Sequence, residues 1–339
     1  MSFGLLIRLR PSTPWRIGSA SGDRDRVDRI YHSDSLYSAV SSAMARLGKL
    51  EEWLEATARS EESAVRFSSC FPFQGETLLV TPPRSAWPPP PSTKVRWKGA
   101  QFVPLEVVEA LLAGRALQED GWVIDTASQC LLPASNQAAS GPFRISVRSS
   151  AAVDREGLGV APHSTACLEF TPGSGLWLAV AFHDEVARER WTGPVTAALR
   201  LLADSGFGGE RSRGWGRSEM PEITAGEFPG LLLSSSGETA GETAGESAWW
   251  LLSLYHPAAT EQVEWTRGNY AVTLRSGRVE CDAGWGEHKR ETRMVAEGSV
   301  LVAAGEPRGS APDVAPENFP HPVYRAGFAL ALQIPWRTA

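Results

Sequence analysis

The segment from Gly206 to Arg217, GFGGERSRGWGR, sets five glycines and three arginines within twelve residues. Glycine lacks a Cβ, so its backbone reaches positive φ and its N–H groups can approach a ligand closely. Successive N–H groups in such a loop form a concave anion site, and arginine forks add bidentate bonds to phosphate oxygens. In this reading Gly206, Gly208, Gly209, Gly214 and Gly216 supply backbone, while Arg211, Ser212, Arg213 and Arg217 supply polar contacts. Trp215 offers a face on which a base could stack, worth about 1–3 kcal/mol. The other reading is a glycine-rich turn with solvated arginines, and composition leaves both open. A nucleotide-binding P-loop is excluded because G-x-x-x-x-G-K-[ST] is absent. A GxGxxG motif counted from Gly206 and Gly208 would need glycine where Arg211 stands.

A second polar constellation, His32, Ser33 and Asp34, precedes a helical stripe of Leu36, Val40, Ala43 and Leu47. The first-turn N–H groups of a helix have no intrahelical partners and carry partial positive charge. An RNA phosphate or base acceptor could sit there, with the three residues as a polar mouth. The alternative is ordinary capping by Ser33 or Asp34. His32 could also serve as a general base, but no recognisable motif supplies a second acid or base. The other histidines are scattered without metal-ligand spacing, and the four cysteines form no Cys-x-x-Cys pair, so no metal or cofactor is expected. The basic run 288–293 is interrupted by Glu291, and Asp23, Asp25 and Asp28 alternate with arginines in what reads as a charge-balanced exposed loop. Core packing suits at least one of Trp249 and Trp250 better than base stacking.

The elements that must position these residues read as an α+β chain. Residues 3–9 read as a buried strand, and a helix runs from an N-cap at Ser33 to Gly48. The proline-rich segment 81–92 reads as extended surface chain, and a short helix spans Pro104 to Gly114. Strands are expected at 143–148, 166–170 and 176–182, with a loop around 150–165. A helix from Pro194 to Asp204 then leads into Gly206. Residues 234–247, SSSGETAGETAGES, read as a flexible linker. They divide a first domain, 1–233, from a smaller β-rich domain, 248–339, with strands at 248–255, 270–274, 294–303 and 323–334. No apolar run approaches membrane-spanning length and the N-terminus lacks a signal-peptide layout, so a soluble cytoplasmic protein is expected. The formal charge of −6 argues against a free-standing nucleic-acid binder and directs any RNA contact to local basic loops supported by neighbouring subunits.

GFGGERSRGWGR resembles the C-terminal glycine-rich loop of the RAMP superfamily of CRISPR proteins. HSDSLYSAV (32–40), FSSCFPF (67–73) with the prolines after it, EGSVLV (297–302) and HPVYRAGFAL (321–330) resemble, in order, landmarks of one member. That member is the RAMP subunit capping the 5′ end of the guide in type III-A (Csm) complexes. The resemblance implies two ferredoxin-like (RRM-like) domains with a glycine-rich loop and a thumb-like β-hairpin insertion. It also implies a non-catalytic subunit that holds the 5′ tag of the crRNA through the loop and the first helix. Its implied partners are the large polymerase-type subunit and the backbone RAMP subunit. Some RAMP relatives are guide-processing endoribonucleases, so a metal-independent nuclease using His32 is the alternative.

Overall fold

The computed structural model describes residues 2–18, 23–90, 95–136, 140–153, 157, 159–233, 247–279 and 286–336. Most of the expected linker, 234–246, lies outside them. Strand β1 (Ser2–Leu9) leads to helices α1 (Ser33–Arg46) and α2 (Leu50–Ala56). Next come β2 (Val65–Phe67), β3 (Phe71–Gln74), β4 (Thr77–Val80), β5 (Val103–Pro104) and α3 (Leu105–Leu112). A small ladder of β6 (Trp122–Asp125) and β7 (Cys130–Pro133) precedes a long hairpin of β8 (Phe143–Val153) and β9 (Val160–Phe170). Then follow β10 (Ser174–Phe182), α4 (Glu185–Ser205) and β11 (Glu222–Phe228). The remainder contains β12 (Ser247–Leu251), β13 (Val272–Arg275), β14 (Thr292–Val295), β15 (Val300–Val302) and β16 (Ala331–Pro335), with no helix among its described residues.

The architecture is a mixture of helices and antiparallel sheets. The main sheet has the order β11-β1-β10-β3-β4-β5, with β2 also paired to β10. Every residue of β10 is buried because neighbours flank both its edges and helices pack on the sheet. Helices α1 and α4 lie against each other, and Trp53 of α2 meets Trp191 of α4 edge-to-face at 5.3 Å. A second sheet, β15-β12-β16, and the β13-β14 ladder form the C-terminal part. The two parts share one continuous core. The Phe328 ring meets Tyr37 at 5.7 Å, and the Trp250 indole donates to the Thr81 carbonyl at 3.2 Å.

Several local expectations need correction. Helix α1 begins at Ser33, leaving His32 in the cap position without a side-chain cap bond. The reason is visible: the Ser33 hydroxyl accepts the Leu254 N–H at 3.0 Å, so it is not free to cap its own helix. Leu36, Val40 and Ala43 are buried as the stripe requires, whereas Leu47 is 40% exposed at the end of the helix, where Gly48 takes φ +70°. There the Lys49 N–H bonds the Met44 carbonyl and the Gly48 N–H the Ala45 carbonyl, a Schellman closure. Helix α4 begins at Glu185, well before Pro194, which lies inside it. Burial of Trp191, Val195, Ala198, Leu199 and Leu202 outweighs the single backbone bond that Pro194 removes. The expected loop around 150–165 is instead paired strand, because β8 and β9 continue as a ribbon too exposed to show hydrophobic alternation.

Asp184 caps α4 by accepting the Ala187 N–H at 2.7 Å. Asp184→Ala is expected to lower stability by about 1 kcal/mol in urea unfolding, with an unchanged denaturant slope.

Candidate nucleic-acid interface

The glycine-rich loop leaves α4 at Gly206 and folds back on itself and on residues 12–16. The Phe207 N–H bonds the Gly216 carbonyl at 3.2 Å, Gly209 bonds Arg16, and Gly216 bonds Pro14. The Arg217 N–H meets the Thr13 hydroxyl at 3.0 Å. A Cβ on Gly206 would lie 2.5 Å from the Trp215 carbonyl, and one on Gly216 2.1 Å from that of Phe207. These two glycines, with φ of +83° and +81°, are therefore required by the loop's own closure. Most of the backbone N–H groups expected to form an anion nest are spent the same way. Trp215, expected as a stacking face, is buried, because the loop tucks it inward.

The side chains of Arg211, Ser212, Arg213 and Arg217 remain exposed. Arg213 bonds Glu210 at 3.2 Å and the ring of His163, on β9, at 3.2 Å. The loop thus abuts the β8–β9 hairpin. The exposed segment 23–26, which carries Arg24 and Arg26, adjoins β9 through the Ala166 N–H bond to the Arg24 carbonyl at 2.9 Å. Loop, hairpin and segment together form a surface with several arginines at its rim.

His32, Ser33 and Asp34 do not form an open mouth. Ser33 and Asp34 are buried, and the His32 side chain is 11% exposed. Arg275 forks onto both Asp34 carboxylate oxygens at 3.1 and 2.9 Å, and Arg325 adds a bond at 2.6 Å. The His32 ring engages Glu297 at 2.7 Å and Asp28 at 3.1 Å, and the Ser69 hydroxyl donates to Glu297. Burial alone would discharge His32, but the Glu297 charge and the bonds to Asp28 and Glu297 overcome this and hold its pKa up to about 10. Burial likewise opposes the Asp34 carboxylate, yet the two guanidiniums, Arg275 foremost, hold it well below the usual range. Three acids and three bases thus neutralise one another at the seam between the chain's two parts. Asp28 belongs to this cluster rather than to an exposed loop.

Ser69, Glu297 and Arg325 fall within the landmark segments without carrying a site expectation, and Arg275 lies outside them, since a buried charge leaves no periodic trace. Trp250 is core, as packing suggests. The basic run 288–293 enters β14, and Arg290 donates to the Asp313 carbonyl at 2.8 Å. Among the described residues no histidine, cysteine and carboxylate group is arranged to hold a metal, and no helix is long and apolar enough to cross a membrane.

Residues 244–334 match the CRISPR Csm4 C-terminal domain. The fold over 98% of the chain matches all of a chain in the crystal structure of the Csm3-Csm4 subcomplex of the type III-A CRISPR-Cas interference complex, at TM-score 0.66 and 17% identity. Over 99% it also matches all of a chain in the Csm1-Csm4 cassette in complex with cA4, at TM-score 0.59 and 16% identity. None of the curated protein sequences matches.

Asp34→Asn removes the carboxylate charge that both buried guanidiniums bond and is expected to cost about 3–5 kcal/mol in chemical denaturation. His32 titrates near pH 6.5 when unfolded and near 10 when folded, so its contribution is complete below about 6.5 and fades toward 10. The stability advantage of wild type over His32→Gln should therefore shrink across that interval.

Proposed function

We propose that this chain is a Csm4-type RAMP subunit that holds the 5′ tag of the crRNA in a type III-A effector complex and performs no chemistry. The carrying observation is the exposed set of Arg211, Arg213 and Arg217 on a loop rigidified by its own glycines. Guanidiniums on a fixed backbone keep their geometry when they meet phosphate, so little entropy is lost on binding. RNA contact in this reading comes from arginine side chains more than from a backbone nest. His32, Ser33 and Asp34 support the interface from beneath by fixing the start of α1. The β8–β9 hairpin corresponds to the thumb-like insertion. The order β11-β1-β10-β2/β3, with α1 and α4 as crossovers, supports a ferredoxin-like reading of the N-terminal part.

The solved structures with this fold contain Csm3 in one case and Csm1 in another. We infer that this chain docks a backbone RAMP subunit and a large polymerase-type subunit of the same kinds, in the cytoplasm. Because the net charge is −6, those neighbours supply part of the field that draws RNA to the rim. The nuclease alternative is disfavoured by the state of His32. A buried imidazole held protonated by two carboxylates has no free nitrogen with which to accept a proton.

In a reconstituted complex, alanine at Arg211, Arg213 and Arg217 together should weaken guide retention and lower its salt slope by about 0.7 per lost contact. Unchanged retention and slope would make the loop structural only. Incubation of the purified chain with repeat RNA should give no sequence-specific cleavage, and a cleavage activity abolished by His32→Ala would overturn the non-catalytic reading.

A further inference from the structure

Three separate stretches of chain close on one residue beneath the arginine rim. Arg16 is 8% exposed, and its guanidinium is spent on backbone carbonyls. Nη1 donates to Arg24 at 2.7 Å, to Ala166 at 3.2 Å and to Arg26 at 3.4 Å, while Nη2 donates to Asp23 at 2.9 Å. The same residue's own carbonyl accepts the Gly209 N–H at 2.8 Å. Next to it, Trp15 exchanges both backbone bonds with Leu168 of β9, at 3.0 and 2.7 Å. Segment 23–26, hairpin strand β9 and the glycine-rich loop are thereby tied to a two-residue hub.

The fit is close on the loop side. A Cβ on Gly208 would lie 2.7 Å from the Arg16 carbonyl, and one on Gly209 3.0 Å from the Arg16 Cδ. A guanidinium is suited to this place because its donors form a rigid planar fork and it stays charged at any physiological pH. A lysine ammonium is a single point with three donors and cannot span carbonyls from two segments in the same geometry.

We propose that Arg16 is a positioning residue for RNA binding: it sets the 23–26 segment, the hairpin and the glycine-rich loop in register, so that their exposed arginines face one strand together. It does not touch RNA, since its donors already point at carbonyls. This inference rests on the RNA role proposed for the loop.

The test compares Arg16→Lys with the triple alanine variant in the reconstituted complex loaded with guide RNA, measuring retention across a salt series. Arg16→Lys conserves charge, so a residue acting as one phosphate contact would leave the slope nearly unchanged. A positioning residue instead misplaces several contacts. The expected result is guide retention at least about tenfold weaker and a slope lowered by about two, as for the loss of three single-strand contacts. Amide exchange at Gly209 and Ala166 should accelerate in the same variant. Should Arg16→Lys fail to assemble, Gly209→Ala decides, because the added methyl presses on the Arg16 stem without removing it. It should weaken guide retention and speed Ala166 exchange. Full guide retention with an unchanged slope in the assembled Arg16→Lys complex, or in Gly209→Ala where it stands in, overturns the positioning role. If the triple alanine variant weakens retention while the variant deciding Arg16 does not, only the Arg16 inference falls. If the triple variant also retains guide with an unchanged slope, the RNA reading of the loop falls and the inference with it.

Discussion

The ion cluster at the start of α1 is where buried charges from the two parts of this molecule meet. A carboxylate as buried as Asp34 is tolerable only because two guanidiniums reach it, both from the C-terminal part. His32 is in the reverse position, a cation kept charged by Glu297 from the C-terminal part and Asp28 from its own. Neither part could bury these groups alone without an uncompensated charge. Docking of the two parts and the geometry of the α1 entry are therefore coupled. The apolar contacts around the cluster, such as Phe328 on Tyr37, contribute free energy, and the ion pairs add direction, because a shift of one part would leave buried charges unpaired.

Buried and exposed charges divide the work. Those at the seam cancel locally and are withdrawn from solvent, so they contribute little to the field outside. The arginines of the loop and of segment 23–26 are supported from below by backbone bonds and left at the surface. An acidic protein can thus present exposed arginines on one surface without a basic excess. On the proposed reading, the rim meets RNA while the seam keeps it in place.

Much of this was legible in the residues, though not always for the expected reason. The α1 stripe, the strand at 3–9 and the two glycine stops follow from periodicity and from positive φ at Gly48 and Gly206. Pro194 misled because a proline inside a helix looks like a proline that starts one, and only the packing of Trp191 tells them apart. The hairpin strands beyond 148 escaped because a two-stranded ribbon exposed on both faces has no hydrophobic period. The distant segments HSDSLYSAV, FSSCFPF, EGSVLV and HPVYRAGFAL meet in space: His32, Ser33, Asp34, Ser69, Glu297 and Arg325 all lie in the seam cluster. The sequence displayed the parts of that contact, but pairing charges more than two hundred residues apart requires the fold. The glycine-rich loop was legible as a special backbone. That its glycines serve its own closure, and that Trp215 turns inward, depends on neighbours at 12–16 that no local pattern names.

The central claim is that the arginine rim of the glycine-rich loop touches the guide while the α1 entry does not. Ultraviolet crosslinking of the assembled complex, followed by mass spectrometry of RNA-bound peptides, tests it directly. The account predicts guide RNA crosslinked near its 5′ end to peptides within 206–217, with none to residues 32–34. Crosslinks at 32–34 with the loop left unmodified, or a complex that carries no RNA on this subunit, would contradict it.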